Sequence, residues 1–97
     1  MVRRRYVVAY DIRDEVRLRR VHGIVRSFGH ALQYSVFVCD LSSIEKIALK
    51  EQLRPVLHHG VDSVVLIDLG EPEGRGRSCF EFVGASLPLP RDGPTIV

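Results

Sequence analysis

The residue whose type and position most invite chemistry is Asp11. It breaks the run Tyr6-Val7-Val8-Ala9-Tyr10-Asp11-Ile12 near its end, a run otherwise apolar at both alternating sets of positions. A strand of that kind is covered on both faces. A carboxylate at the edge of such a strand is costly to bury unless a cation meets it, so its expected neighbour is a metal ion or an arginine. Arginine is abundant nearby. Residues 1–30 hold eight arginines against Asp11, Asp14 and Glu15, a balance of +5, which leaves −3 for the rest of a chain whose total is +2. Basic charge concentrated on the first strand and helix attracts a phosphate-bearing partner.

The other reactive residue types point elsewhere. Cys39 and Cys79 are far apart and form no metal-spaced pair, so buried, reduced thiols in a cytoplasmic protein are expected. His58 and His59 are adjacent and lack an i, i+4 histidine partner, a pattern that suits a helix C-terminus better than a metal. The N-terminal Arg3, Arg4 and Arg5 precede a short β-type run broken by Asp11, which does not read as a signal peptide. No apolar span approaches membrane length. At 97 residues and 45% hydrophobic, the chain suffices for one domain with one core. A chain of this size buries only roughly 60 to 65% of its unfolded surface and gains from a partner.

The elements that must position Asp11 follow in order. Asp14 and Glu15 place negative charge at a helix start, and Leu18, Val21, Ile24, Val25 and Phe28 recur at helical spacing. Arg17, Arg20 and Arg26 fall off that stripe, Arg19 lies at its margin, and Gly29 is expected to end the helix as a permissive C-cap. His30 to Leu41 is β-rich with Tyr34-Ser35 at its middle, which permits two readings: one long strand, or a hairpin of His30 to Gln33 and Val36 to Asp40. The first gives β-α-β-α-β and the second β-α-β-β-α-β. Ser42 with Glu45 has the form of a capping box, opening a second helix whose buried side is expected from Ile44, Ile47, Ala48, Leu53, Val56 and Leu57. Pro55 predicts an irregular last turn before Gly60.

A strand over Asp62 to Leu69, a loop to Gly76 and a further strand over Arg77 to Val83 complete the domain, residues 1–84. Residues 85–97 carry Pro88, Pro90 and Pro94 and read as an extended arm, whose final Thr95-Ile96-Val97 could join a sheet edge. Two helices cover one sheet face, yet the strands at 6–12 and 64–67 are apolar on both. The missing layer is most simply a second copy of the chain, joined sheet to sheet about a twofold axis with the arm crossing over.

Taken together, Tyr10-Asp11-Ile12, Asp14, Arg17, Val21, Phe28-Gly29, Gln33-Tyr34-Ser35-Val36-Phe37 and Asp62-Ser63-Val64 resemble the small CRISPR-associated endoribonuclease family, the smaller of the two core spacer-acquisition proteins. The resemblance covers roughly residues 5–84 and is loose in the tail. It implies an α+β, ferredoxin-like β-α-β-β-α-β two-layer sandwich with an additional C-terminal strand, and it favours the hairpin. It also implies a homodimer with swapped terminal strands and a Mg²⁺- or Mn²⁺-dependent phosphodiesterase site at the dimer interface. The family's metal-binding and catalytic aspartate corresponds to Asp11, flanked by Tyr10. On that footing Arg17, Arg19 and Arg20 are candidates to hold flanking phosphates, and Phe37 to stack on a base.

The chain departs from the family pattern at Ala31 and Val38, where many members carry an arginine and an acidic residue. Losing that arginine removes a phosphate ligand and predicts weak cleavage. Two functions follow: a metal-dependent endonuclease cutting RNA or DNA through Asp11, and an adaptor dimer bridging the larger acquisition integrase and foreign duplex DNA. A small-ligand regulatory dimer is disfavoured, because no glycine-rich ligand loop accompanies the basic N-terminal third.

Overall fold

The computed structural model describes residues 2–90. Its elements are β1 (Arg4–Asp11), α1 (Glu15–Arg26), β2 (His30–Gln33), β3 (Val36–Leu41), α2 (Ser43–Leu53), β4 (Ser63–Gly70) and a short α3 (Arg75–Ser78). The strands form one antiparallel sheet in the order β2-β3-β1-β4, the ferredoxin-like arrangement, with β1 inside it. Tyr34-Ser35 turns the chain between β2 and β3, so the hairpin reading holds. Among the described residues no helix is long and apolar enough to cross a membrane.

Alternation along β1 divides the molecule. Tyr6, Val8 and Tyr10 join Phe37, Cys39 and Leu41 of β3 beneath Val21 and Val25 of α1 and Leu49 and Leu53 of α2. Burial without a cationic neighbour pushes the Cys39 thiol up to about 12, so it packs as an inert small apolar group. The opposite positions Arg5, Val7, Ala9 and Asp11 share the other face with Val36 and Val38 of β3 and Ser63, Val65 and Ile67 of β4. Val65 and Ile67 are exposed, so the second apolar face inferred for β4 is present and only partly covered.

Local chemistry sets each element's bounds. The Asp14 carboxylate accepts from the Arg17 amide and caps α1. The capping box of α2 is complete: Ser42 Oγ accepts from the Glu45 amide at 3.2 Å, and Glu45 Oε1 accepts from the Ser42 amide at 2.8 Å. Past Leu53 the chain makes an irregular turn around Pro55, and the His59 ring meets the Arg54 carbonyl at 2.9 Å, capping a free helix-end oxygen.

Three expectations are corrected. Gly29 is no left-handed C-cap, since Ser27 caps α1; a Cβ at Gly29 would fall on Cys39 Sγ and the Val38 carbonyl oxygen, so close approach to β3 requires the glycine. Ile44 and Ile47 are exposed, while Leu49, absent from the expected stripe, is fully buried. The Arg77 to Val83 strand does not form: the described chain turns through α3 there. Arg5, only 1% exposed on the second face, pairs with Asp40 at 2.8 Å and donates to the carbonyls of Gly76 and Pro90, bending the chain back onto the sheet. The Thr95-Ile96-Val97 edge strand lies outside the described residues.

Candidate active site

The end of the sheet where β1 stops gathers two carboxylates of opposite character. Asp11 ends β1 opposite Ser63 of β4, and its side chain is 72% exposed with Arg13 Nη2 3.4 Å away. The cationic neighbour expected of Asp11 is therefore present as arginine, but the carboxylate is open to solvent rather than buried in the chain. Asp62, immediately before β4, has no solvent-accessible side-chain surface. Its oxygens accept from Arg17 Nε at 2.6 Å, Arg17 Nη2 at 3.2 Å, the Arg13 amide at 3.0 Å and the His58 amide at 2.9 Å.

Asp62 thus ties the β1–α1 loop, the first turn of α1 and the α2–β4 loop to one point. The Arg17 guanidinium holds the Asp62 carboxyl far below the ordinary carboxylate range, with the Arg13 and His58 amides adding to it against the opposing effect of burial. Asp62 in turn raises the Arg17 guanidinium pKa. A carboxylate so saturated has no lone pair left for a metal or a proton. Asp11 keeps its own.

Tyr10 points the other way from Asp11, into the core. Its hydroxyl lies 2.8 Å from His22 Nδ1 of α1, and burial raises its pKa. Its backbone amide donates to the Ser35 carbonyl at 3.1 Å, fixing the β2–β3 turn beside the end of β1. Phe37 is 1% exposed and packs between Tyr10 and His22, with ring centroids 6.2 and 5.4 Å away. This corrects the expected stacking role of Phe37: its ring fills the core and has no face free for a base.

Of the three arginines expected at phosphates, Arg17 is committed to Asp62, whereas Arg19 and Arg20 are exposed on α1. Ala31 is exposed on β2, and Val38 is buried opposite Val7, where an apolar side chain suits its surroundings. Among the described residues no three His, Cys, Asp or Glu side chains cluster as a metal cage. One chain offers Asp11 alone, which is enough only for an ion that keeps most of its waters or borrows a second carboxylate, as magnesium commonly does. Asp62, Arg13, His22 and Tyr34 were not among the residues singled out from the sequence for this end of the sheet. Asp62-Ser63-Val64 carried a signal only as part of the family pattern.

Comparison with known proteins places the chain in a family. The family described as CRISPR associated protein Cas2 matches residues 4–75. The CRISPR-associated endoribonuclease Cas2 of Geobacter sulfurreducens is 40% identical over 68 residues, spanning 70% of this chain and 72% of the relative. The CRISPR-associated endonuclease Cas2 2 of Thermus thermophilus is 36% identical over 64 residues, 66% of this chain and 71% of the relative. Among solved structures, Streptococcus pyogenes Cas2 at pH 6.5 superposes with a TM-score of 0.71 at 28% identity, covering 82% of this chain and 99% of the other. With more than two thirds of its length matched by the family and the β1–α1–β2–β3–α2–β4 order in place, the chain belongs to the CRISPR-associated Cas2 family.

Proposed function

We propose that this protein is a homodimeric, metal-dependent endonuclease of CRISPR adaptation, with Asp11 as its catalytic and metal-holding carboxylate. One observation carries the reading: of the two carboxylates at this end of the sheet, Asp62 is saturated by four donors and Asp11 is left open. The endoribonuclease and endonuclease names of the relatives supply the reaction class. Asp11 lies on the same face as Val7, Ala9, Val65 and Ile67, so a second copy seated on that apolar face brings its own Asp11 towards the first. Bound Mg²⁺ or Mn²⁺ supplies charge stabilisation on phosphoryl oxygens and a more acidic water. The chain's own residues do the rest: Asp11 holds the ion, Arg13 and Arg20 attract the flanking phosphates, and the Asp62–Arg17 pair keeps the loop carrying Arg13 in place.

A second reading rests on a separate observation. Arg19, Arg20 and Arg26 are exposed, with no side-chain ion pair among the described residues. Such a helix face suits an adaptor that tracks phosphates of foreign duplex DNA while the dimer bridges the larger acquisition integrase. A gel assay with single-stranded RNA and duplex DNA, with and without Mg²⁺, separates the two. Loss of cleavage in Asp11→Asn with the fold intact supports the enzyme. Undiminished metal-dependent cleavage by that variant rejects it. Spacer acquisition that survives Asp11→Asn but falls with Arg19→Glu and Arg20→Glu identifies the adaptor.

A further inference from the structure

Tyr34 stands at the tip of the β2–β3 hairpin with its side chain three-quarters exposed, at 75%. A large aromatic ring in that position has no core to fill. It nonetheless has a ring neighbour: its ring lies 6.4 Å from that of His22 at an interplanar angle of 29°, a stacked pair that orients it. His22 is itself fixed from below, by the Tyr10 hydroxyl at Nδ1 and by the edge-on Phe37 ring at 5.4 Å. The four rings run as a continuous column from the core to the surface, and Tyr34 is its outer end. A pre-ordered ring loses little side-chain freedom when something stacks on it.

The charge around the column is selective. On α1, His22 has Arg19 one turn before it and Arg26 one turn after it, on the flank facing the hairpin. Both are exposed and neither has an ion-pair partner among the described residues. They stand seven positions apart, about 10 Å along the helix axis. Glu15 is the sole acidic residue of α1 and lies a further turn away. An aromatic face stacked on His22, with an unpaired arginine one helical turn to either side of that histidine, matches what recognises a base and its adjoining phosphates, and it needs that base to be out of a helix stack.

We propose that Tyr34, backed by His22 and flanked by Arg19 and Arg26, is a stacking platform for an unpaired base of single-stranded nucleic acid. The platform rests on the nuclease reading only for its place and adds a contact residue to it, because the hydrogen bond from the Tyr10 amide to the Ser35 carbonyl sets the hairpin tip beside the strand end that carries Asp11. Binding at the platform itself requires neither Asp11 nor a metal. A duplex presents its phosphates to Arg19 and Arg26 but offers no face to Tyr34.

The test is equilibrium binding by the full-length protein, without divalent metal, of short oligouridylate, oligodeoxythymidylate and a duplex of equal length, each carrying a fluorescent end label. Tyr34→Ala is expected to weaken single-strand binding by about 5- to 150-fold, the range for loss of one base–aromatic stack, while Tyr34→Phe binds as wild type. Duplex binding should be unchanged by either variant. Arg19→Ala and Arg26→Ala should each lower the salt slope of single-strand binding by about 0.7. A Tyr34→Ala loss in the RNA arm, the DNA arm or both upholds the platform and says which sugar it accepts. Tyr34→Ala binding both single strands within twofold of wild type overturns it, as does an equal loss on the duplex. Because no cleavage is read, these outcomes are independent of whether Asp11 is catalytic.

Discussion

At the scale of single residues, the site is defined by how two carboxylates share the available donors. Asp62 takes Arg17 and two backbone amides, and Asp11 takes only a 3.4 Å contact with an exposed arginine. Asp62→Asn removes the charge that fixes Arg17, so cleavage should fall even though the residue never meets substrate. Lowered activity with an unchanged KM would mark it as a positioning residue, and raising the pH would not restore it. A third carboxylate, Glu45, reports on acid stability. Arg3 and the Ser42 amide hold Glu45 down to about 2 from 4.5. A depressed folded-state pKa contributes stability above the unfolded value and loses it as pH falls through the folded one. The melting temperature should therefore drop as pH falls from about 4.5 towards 2, and Glu45→Gln, which keeps the capping geometry, should show a shallower drop when followed by circular dichroism. Asp11 was legible in the sequence because it breaks an apolar run. Asp62 was not, because its partners come from positions 13, 17 and 58, which no local pattern joins.

At the scale of elements, capping chemistry proved more readable than helix faces. The Ser42–Glu45 box is local and could be recognised from four residues. The face of α2 could not, because Ile44 and Ile47 are as apolar as Leu49 and Leu53, and only packing on the sheet selects the Leu49–Leu53 row and leaves the two isoleucines outside. Ser42→Ala should lower stability by about 1 kcal/mol in a denaturant titration, the usual effect of losing an N-cap. Gly29→Ala should cost about 1–3 kcal/mol, since a Cβ there meets β3 backbone that cannot withdraw. The Arg77 to Val83 alternation was misleading for a related reason. Period 2 brings Phe80 and Phe82 together, with centroids 6.3 Å apart, but the Arg5 hydrogen bonds to Gly76 and Pro90 decide where the backbone goes.

At the scale of the whole molecule, the sheet has one face packed under helices and one face with apolar, partly open strands. That asymmetry was visible in the sequence as runs with no polar side at 6–12 and 64–67. The buried Arg5–Asp40 pair on the second face was not, because arginine at the start of a strand reads as surface. We expect the protein to scatter light as a dimer of about 22 kDa, twice the 11.0 kDa chain. Ile67→Glu should yield a folded monomer, its own stability changed by about 0.5 kcal/mol or less, as for other exposed positions. A monomeric wild type at micromolar concentration would remove the second-copy explanation of that face.

On the proposed reading, the Asp11 carboxylates of two protomers act together on one phosphodiester. Co-refolding wild-type and Asp11→Asn chains in varying ratio and measuring Mg²⁺-dependent cleavage reads this directly. If both carboxylates are needed, activity follows the square of the wild-type fraction, so an equal mixture retains about one quarter of it, the share of wild-type homodimers in random pairing. Activity that falls only in proportion to the wild-type fraction, leaving about one half in the equal mixture, would show each Asp11 working alone and contradict the account.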